Sequence, residues 1–281
     1  MFLGPLVLLG RVVGSRLPLV SSRWSLHLHP IPRYFIMSTS FTNDSIQTTP
    51  NLENDLQGAD EEQRELMGEQ VILVSPDDEI QGSASKAQAH HISSGLLLHR
   101  AFSVFLFDSQ KRLLLQQRAS SKITFPLYWT NTCCSHPLYS IQEEMNDSIG
   151  VIHAAKRKLH QELGISPESL SDSDFHYLTR IHYRAMSDQV WGEHEIDYIL
   201  FVMKDISLSP CKNEVEAVRY LDREELESWI SQSKSKFSEL RLTPWFRFIA
   251  DHFLLDWWKY LGTDSLFQVT DKNRIYRASF S

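Results

Sequence analysis

The chain has 281 residues, 42% hydrophobic and 22% charged, with a net charge of −7 at neutral pH. That balance fits one large globular domain or two small ones and excludes a disordered or fibrous chain. An acidic total without a basic stripe argues against nucleic acid as the main partner, and no apolar run reaches the ~18–20 residues of a membrane span.

Residues 1–43 carry Arg11, Arg16, Arg23 and Arg33 and no Asp or Glu. This is the composition of a mitochondrial transit segment. A secretory signal is the alternative, because residues 2–10 are apolar, but no basic residue precedes them. Met37 is a second candidate start, which would give a cytoplasmic form. Residues 44–69 are polar and acidic with no period, and read as a linker.

Residues 70–75 form a short apolar run stopped by Pro76-Asp77-Asp78, as expected of a strand and turn. Residues 101–107 and 113–117 flank Asp108-Ser109-Gln110-Lys111 and read as a hairpin. Residues 129–134 are expected to be extended, and 177–184, 196–203 and 215–221 are further strands. Between them, Val151, Ile152, Ala154, Ala155 and Leu159 recur at helical spacing, and Gly164 ends that helix. Thr243-Pro244 opens a second helix running to about Tyr260, with Thr as N-cap and Pro in the first turn. Adjacent strands with few crossover helices predict an α+β or α/β sandwich over residues 70–262, not a doubly wound sheet. Residues 263–281 read as a tail. Three cysteines, Cys133, Cys134 and Cys211, are an odd number with two adjacent, so a disulfide framework is not expected.

Five places carry groups that can do chemistry. In an extended Trp129–Pro137 segment, Cys134 and His136 point to one side, as a metal pair, a nucleophile with its base, or ordinary packing. Glu193 and Glu195 share one face of a strand and repel unless a cation sits between them or one is protonated. His90, His91 and His99 precede a buried strand, and imidazoles with carboxylates suit a divalent transition metal. Lys158 and Glu162 are i, i+4 neighbours on the first helix. Arg118 and Lys122 follow an apolar strand and suit a phosphate, or a solvated loop.

Four segments occur in order: Leu98-His99-Arg100-Ala101-Phe102-Ser103, Trp129-Thr130-Asn131-Thr132-Cys133-Cys134-Ser135-His136-Pro137, Trp191-Gly192-Glu193-His194-Glu195 and Thr243-Pro244-Trp245-Phe246. Together they resemble the type I isopentenyl-diphosphate Δ-isomerases, most closely the eukaryotic members, over about residues 70 to 262. The resemblance implies a Nudix-like fold, a mixed β-sheet between helices with an additional C-terminal helix. Arg157 to Ile165 looks like the end of a Nudix box, in which Lys158 and Gln161 replace two glutamates that hydrolases use to hold Mg²⁺ and activate water. That departure counts against the alternative reading, a Nudix hydrolase of a nucleoside diphosphate derivative.

The resemblance also implies roles. Cys134 is one proton-transfer group, and Tyr183 with Glu195 is the other. Trp245 presents its π face to a carbocation. His90, His99, His136, Glu193 and Glu195 hold one divalent ion, Zn²⁺ or Mn²⁺ in relatives. Mg²⁺ bridges Glu162 and the substrate diphosphate, and Lys86, Arg118, Lys122 and Lys158 hold that diphosphate. Aligning Gly82 and Lys86 with the family selects His90, whereas aligning the residue after the histidine selects His91; His90 is favoured. The expected chain is a monomer acting on a small diphosphate, and since relatives can be peroxisomal, that address stays open beside the mitochondrial and cytoplasmic ones.

Overall fold

The computed structural model describes residues 52–278. The expected targeting segment and the first part of the expected linker lie outside the described residues.

Residues 52–69, expected as linker, carry two short helices, α1 (Leu52–Asp55) and α2 (Glu61–Leu66). Asp60 caps α2 by accepting from the Gln63 N–H, and Gln63 and Met67 are buried. Helical periodicity was invisible there because α2 spans under two turns and buries a glutamine rather than an apolar stripe. Next come strands β1 (Gln70–Val74) and β2 (Ile80–Ser85), an antiparallel pair. Helix α3 (Lys86–His90) follows at once, opened by a reciprocal cap between Ser85 and Gln88.

Strand β3 (His99–Phe107) is the axis of the sheet, with all nine residues buried. Both of its faces are covered, which explains why residues 101–107 are apolar at all but Ser103. One edge pairs in parallel with β8 (Gly192–Met203) along its whole length. The other edge is shared by β1 at His99, β6 (Cys133–Ser135) at Phe102 to Val104, and β4 (Leu113–Arg118) at Phe107 alone. The expected hairpin therefore exists only at its turn, where the Asp108 carboxylate accepts from the Arg112 N–H at 2.8 Å. Because β6 occupies the edge of β3, β4 diverges and pairs with β5 (Trp129–Thr130) and β9 (Val215–Leu221). On the far side, β7 (Phe175–Met186) pairs antiparallel with β8, and β10 (Ile275–Arg277) adds to β7 in parallel. The segment expected as a tail thus supplies an edge strand.

Alternation along β3 and β8 divides the core in two. Phe102, Val104, Leu106, Ile196, Leu200 and Val202 pack on one face with Val151, Ala155 and Leu159 of α4 (Asp147–Leu163). Phe105, Phe107, Ile199 and Phe201 pack on the other with Phe246, Ile249 and Leu254. That second layer is the expected C-terminal helix. It comprises α6 (Pro244–Ile249), a wider π turn over Ala250–Leu254 and further helical turns to Tyr260, and follows α5 (Arg223–Gln232). The result is the mixed sheet between helices that the sequence predicts. Among the described residues, no helix is long and apolar enough to cross a membrane.

Gly164 ends α4 in the left-handed region at φ 65°, and a Cβ there would lie 2.5 Å from the Ser209 carbonyl oxygen. Both the conformation and the space require glycine. Gly164→Ala is expected to lower stability by about 1–3 kcal/mol, read as a fall in the urea midpoint at constant slope; an unchanged midpoint would contradict the packing described.

Candidate active site

Strand register gathers the candidate residues. The β3–β8 pairing sets His99 opposite Glu195. The β7–β8 pairing sets Tyr183 opposite Glu195, and the β3–β6 pairing sets Cys134 opposite Ser103. Helix α3 places Lys86 and His90 one turn apart. The Cys133-Cys134 pair is split by alternation, with Cys133 in the core beneath α4 and Cys134 facing a cavity. That cavity holds ≈ 390 Å³ of atom-free space. Cys134, Tyr183, Glu195 and Trp245 line it together with Lys86, Arg118, Lys122, Lys158 and Glu162.

His90, His99, His136, Glu193 and Glu195 are all buried, with one ligand-type atom of each within 4.8 Å of the others. Each imidazole ring centre lies 4.7–5.0 Å from the next. Three protonated rings at that spacing would repel one another. Burial, then the neighbouring His99 and His90, holds His136 well below the usual imidazole pKa. His90 Nδ1 donates to the Lys86 carbonyl and His99 Nδ1 to the Leu97 carbonyl, each at 2.7 Å. Both Nε2 lone pairs therefore face the cluster, and neither finds a hydrogen-bond partner; Glu193 Oε2 also lacks one. His90 Nε2 stands 2.6 Å from Glu193 Oε2, and His136 Nε2 2.8 Å from Glu195 Oε1. Orphaned lone pairs and carboxylate oxygens converging in a buried space fit a divalent cation, which would satisfy all of them at once. Burial works to raise the carboxyls of Glu193 and Glu195, but the adjacent histidines hold both below the usual range.

His91 points elsewhere. Its Nε2 lies 2.9 Å from the Asp55 carboxylate and its Nδ1 2.7 Å from the Ser93 hydroxyl. Between the two alignments, the geometry favours His90.

Burial pushes the Cys134 thiol up to about 12, against the pull of Arg118, so it is a neutral S–H at physiological pH. Burial, then Glu195 and Glu193, pushes the Tyr183 phenol well above its usual value, and its O–H donates to Glu195 Oε2. Trp245 stacks on Tyr183 with ring centres 5.7 Å apart.

The same cavity is also lined by cations. Arg118 donates to the Thr124 carbonyl and hydroxyl, with Nη1 3.9 Å from Cys134 Sγ. Lys158 is buried with Nζ 3.4 Å from Glu162 Oε1, and Gln116 Nε2 donates to the other Glu162 oxygen at 2.8 Å. Burial works against the Lys158 charge, but Glu162 and Glu214 more than offset it. Lys122 Nζ pairs with Glu214 at 2.7 Å.

Sequence reasoning missed several supporting residues. Asn131 is fully buried; its Oδ1 accepts from the Trp245 indole N–H at 3.2 Å, and its Nδ2 donates to the Val104 and Cys133 carbonyls. The amide thus fixes the indole and the backbone of the thiol strand together. Arg157 donates to the His136 carbonyl and to the buried Glu144. Asp197 continues the Glu193, Glu195 alternation; burial and the Glu195 charge push its carboxyl far up, and Ser103 donates to it. Asn131 and Arg157 stood inside recognisable motifs without a role, and Asp197 had the period-2 run itself as a signal.

The NUDIX domain family matches residues 97–246. Isopentenyl-diphosphate Delta-isomerase 1 of Bos taurus is 51% identical over 222 residues, covering 78% of this chain and 96% of the relative. Isopentenyl-diphosphate Delta-isomerase I of Clarkia breweri is 44% identical over 272 residues, covering 93% and 94%. The idi1 protein of Aspergillus fumigatus, of the same name, is 49% identical over 238 residues, covering 79% and 83%. Likeness of this extent spans the whole cavity and both core layers, and the chain belongs to the isopentenyl-diphosphate Delta-isomerases of the Nudix superfamily.

Proposed function

We propose that the chain converts isopentenyl diphosphate to dimethylallyl diphosphate by protonation at C4 and removal of a proton from C2, through a tertiary cation at C3. The observation that carries this reading is a neutral thiol, Cys134, sharing one cavity with the Tyr183–Glu195 pair and with a set of cations. Moving a double bond needs one group to give a proton and another to take one, with no net change in protons. The thiol and the phenol–carboxylate pair in the cavity suit those two roles.

Lys86, Arg118, Lys122 and Lys158 suit a diphosphate, Arg118 by its fork and the lysines as point charges. Seating the head among them sends the five-carbon tail toward Cys134, Tyr183 and Trp245. The Trp245 face can stabilise the cation by about 2 kcal/mol, roughly thirty-fold in rate if realised only in the transition state. Burial of the tail keeps water from trapping the cation.

The His90, His99, His136, Glu193 and Glu195 set would hold Zn²⁺ or Mn²⁺, whose charge would fix Glu195 and tune its proton affinity. Glu162, an acid beside Lys158, would hold Mg²⁺ with the diphosphate and so offset the charge of the substrate's head, which stays bonded throughout. The proposed state of the chain is a monomer. The acid-free, arginine-bearing residues 1–43 support a mitochondrial address, a start at Met37 a cytoplasmic one; a peroxisomal address is the third.

In D₂O with isopentenyl diphosphate and Mg²⁺, the protein is expected to place deuterium in a methyl group of dimethylallyl diphosphate, followed by NMR. Release of inorganic phosphate instead would support the hydrolase reading. Cys134→Ala and Glu195→Gln should each lower kcat by roughly 10²–10⁴-fold, and wild-type turnover in either variant would remove that residue from the mechanism. For the metal set, His90→Ala and His136→Ala should lose bound metal by elemental analysis while His91→Ala retains it; full metal in His90→Ala would refute the ligand set.

A further inference from the structure

The site's cationic end is wired to a segment that precedes the Nudix domain. The Lys122 side chain is largely enclosed, 9% exposed, and its Nζ donates to Glu214 Oε2 at 2.7 Å. Glu214 is buried and does not line the cavity. Its other oxygen, Oε1, accepts from Gln63 Nε2 at 3.0 Å. Gln63 belongs to α2, and its Nε2 also lies 2.5 Å from Asn213 Oδ1 and 3.3 Å from the Asn213 carbonyl. Asn213 in turn donates to Asp60, the cap of α2, and accepts at its carbonyl from Ser121. The Ala119 N–H donates to the Glu214 carbonyl at 3.0 Å. Two loops, 119–122 and 211–215, are therefore tied to each other, and α2 is tied to the second.

We propose that Glu214 and Gln63 are positioning residues for the substrate's diphosphate: Gln63 orients the Glu214 carboxylate, and Glu214 holds the Lys122 ammonium at the cavity. This inference rests on the reading of Lys122 as a diphosphate ligand.

Electrostatics makes the carboxylate necessary. Lys122 faces Lys86, Arg118 and Lys158, all of one sign, in a buried place. Burial pulls the Lys122 ammonium down to about 8, the three cations pull in the same direction, and Glu214 opposes them. Against burial, Lys122 first and then Lys158 and Lys86 hold the Glu214 carboxyl far below its usual range. Without the carboxylate, the ammonium would lose its charge or turn away from its like-charged neighbours. Gln63 adds the second constraint. A carboxylate held at both oxygens has one orientation, and a neutral amide donor supplies this without adding a further cation.

The test uses full-length protein and three readouts: KM and kcat for isopentenyl diphosphate from pH 6.5 to 8.5, binding of inorganic diphosphate by calorimetry, and thermal unfolding. Glu214→Gln is expected to raise KM roughly ten-fold at pH 7 with kcat within about two-fold. The sign of the pH effect follows from the lost carboxylate: the ammonium pKa falls, so KM should climb more steeply between pH 6.5 and 8.5 than in wild type. Glu214→Asp should recover part of the loss. Gln63→Ala should raise KM roughly three- to ten-fold, weaken diphosphate binding in parallel, and add little on top of Glu214→Gln, because the two act through one ammonium. Gln63→Ala removes only the bonds from α2, so it decides the matter even if Glu214→Gln fails to fold. Wild-type KM and diphosphate affinity in Gln63→Ala, or a loss that only follows thermal unfolding and has no pH slope, would overturn the inference. The underlying reading is tested apart, by Lys122→Ala: an unchanged KM there would remove Lys122 from the diphosphate site, whereas a raised KM there beside a normal Gln63→Ala would reject the positioning role alone.

Discussion

Pairing of β3 with β8 is the constraint from which the site follows. The two strands run in parallel from His99 opposite Glu195 to Phe107 opposite Met203. A slip of one residue would turn Glu193 and Glu195 to the α4 face, where they would be buried among aliphatic side chains without partners. The same slip would separate Glu195 from Tyr183 across β7. Apolar alternation in both strands opposes it, since Phe105 and Phe201 would exchange layers with Leu106 and Leu200. The hydrophobic core thus fixes the register, and the register brings an imidazole, two carboxylates and a phenol to one point.

Keeping such groups dry has a cost that shapes everything around them. A buried carboxylate is tolerated only with opposite charge or donors nearby. Glu193 and Glu195 meet three imidazoles, Glu162 meets Lys158 and Gln116, and Glu214 meets Lys122 and Gln63. The pairs divide the cavity into an end rich in imidazole and carboxylate and an end rich in ammonium and guanidinium. Cys134 stands between them, neutral because burial outweighs the single guanidinium beside it. A thiolate there would face Glu162, Glu195 and Asp197, all of which disfavour it.

Much of this was readable beforehand, for identifiable reasons. Strands 101–107 and 196–203 are buried on both faces and are apolar but for Ser103 and Asp197, and the helix ending at Gly164 carries its own stop signal. The ordered motifs named the residues that the strands then gathered. What escaped was short or non-local. Helix α3 has five residues, too few for a period, although its Ser85–Gln88 cap lay in plain view. The edge strand β10 is three residues long and gains its place only from β7. Gln63 and Glu214 are 151 positions apart, one in an acidic stretch read as linker and the other in a polar loop, so no local pattern joins them. Asn131 was quoted as part of a motif, but its role depends on an indole on α6 that only the folded chain brings to it.

Helix α4 shows how one fold is turned from one chemistry toward another. By resemblance, hydrolases place several glutamates at the end of this helix, a dense negative field that collects Mg²⁺ and deprotonates water. Here Glu162 remains, but one turn earlier stands Lys158, buried and drawn to it, and Gln161 beside them is neutral. Exchanging carboxylates for an ammonium reverses the local field from one that repels a diphosphate to one that attracts it. The remaining carboxylate can share a cation with that diphosphate but no longer forms a cluster able to activate water. The acids beside Trp245, Tyr183 and Cys134 in the cavity are Glu193 and Glu195, which the histidines and the phenol already engage. In the proposed reaction that arrangement serves the tertiary cation twice, since the head is held by charge and the tail is shielded from the solvent that would capture it.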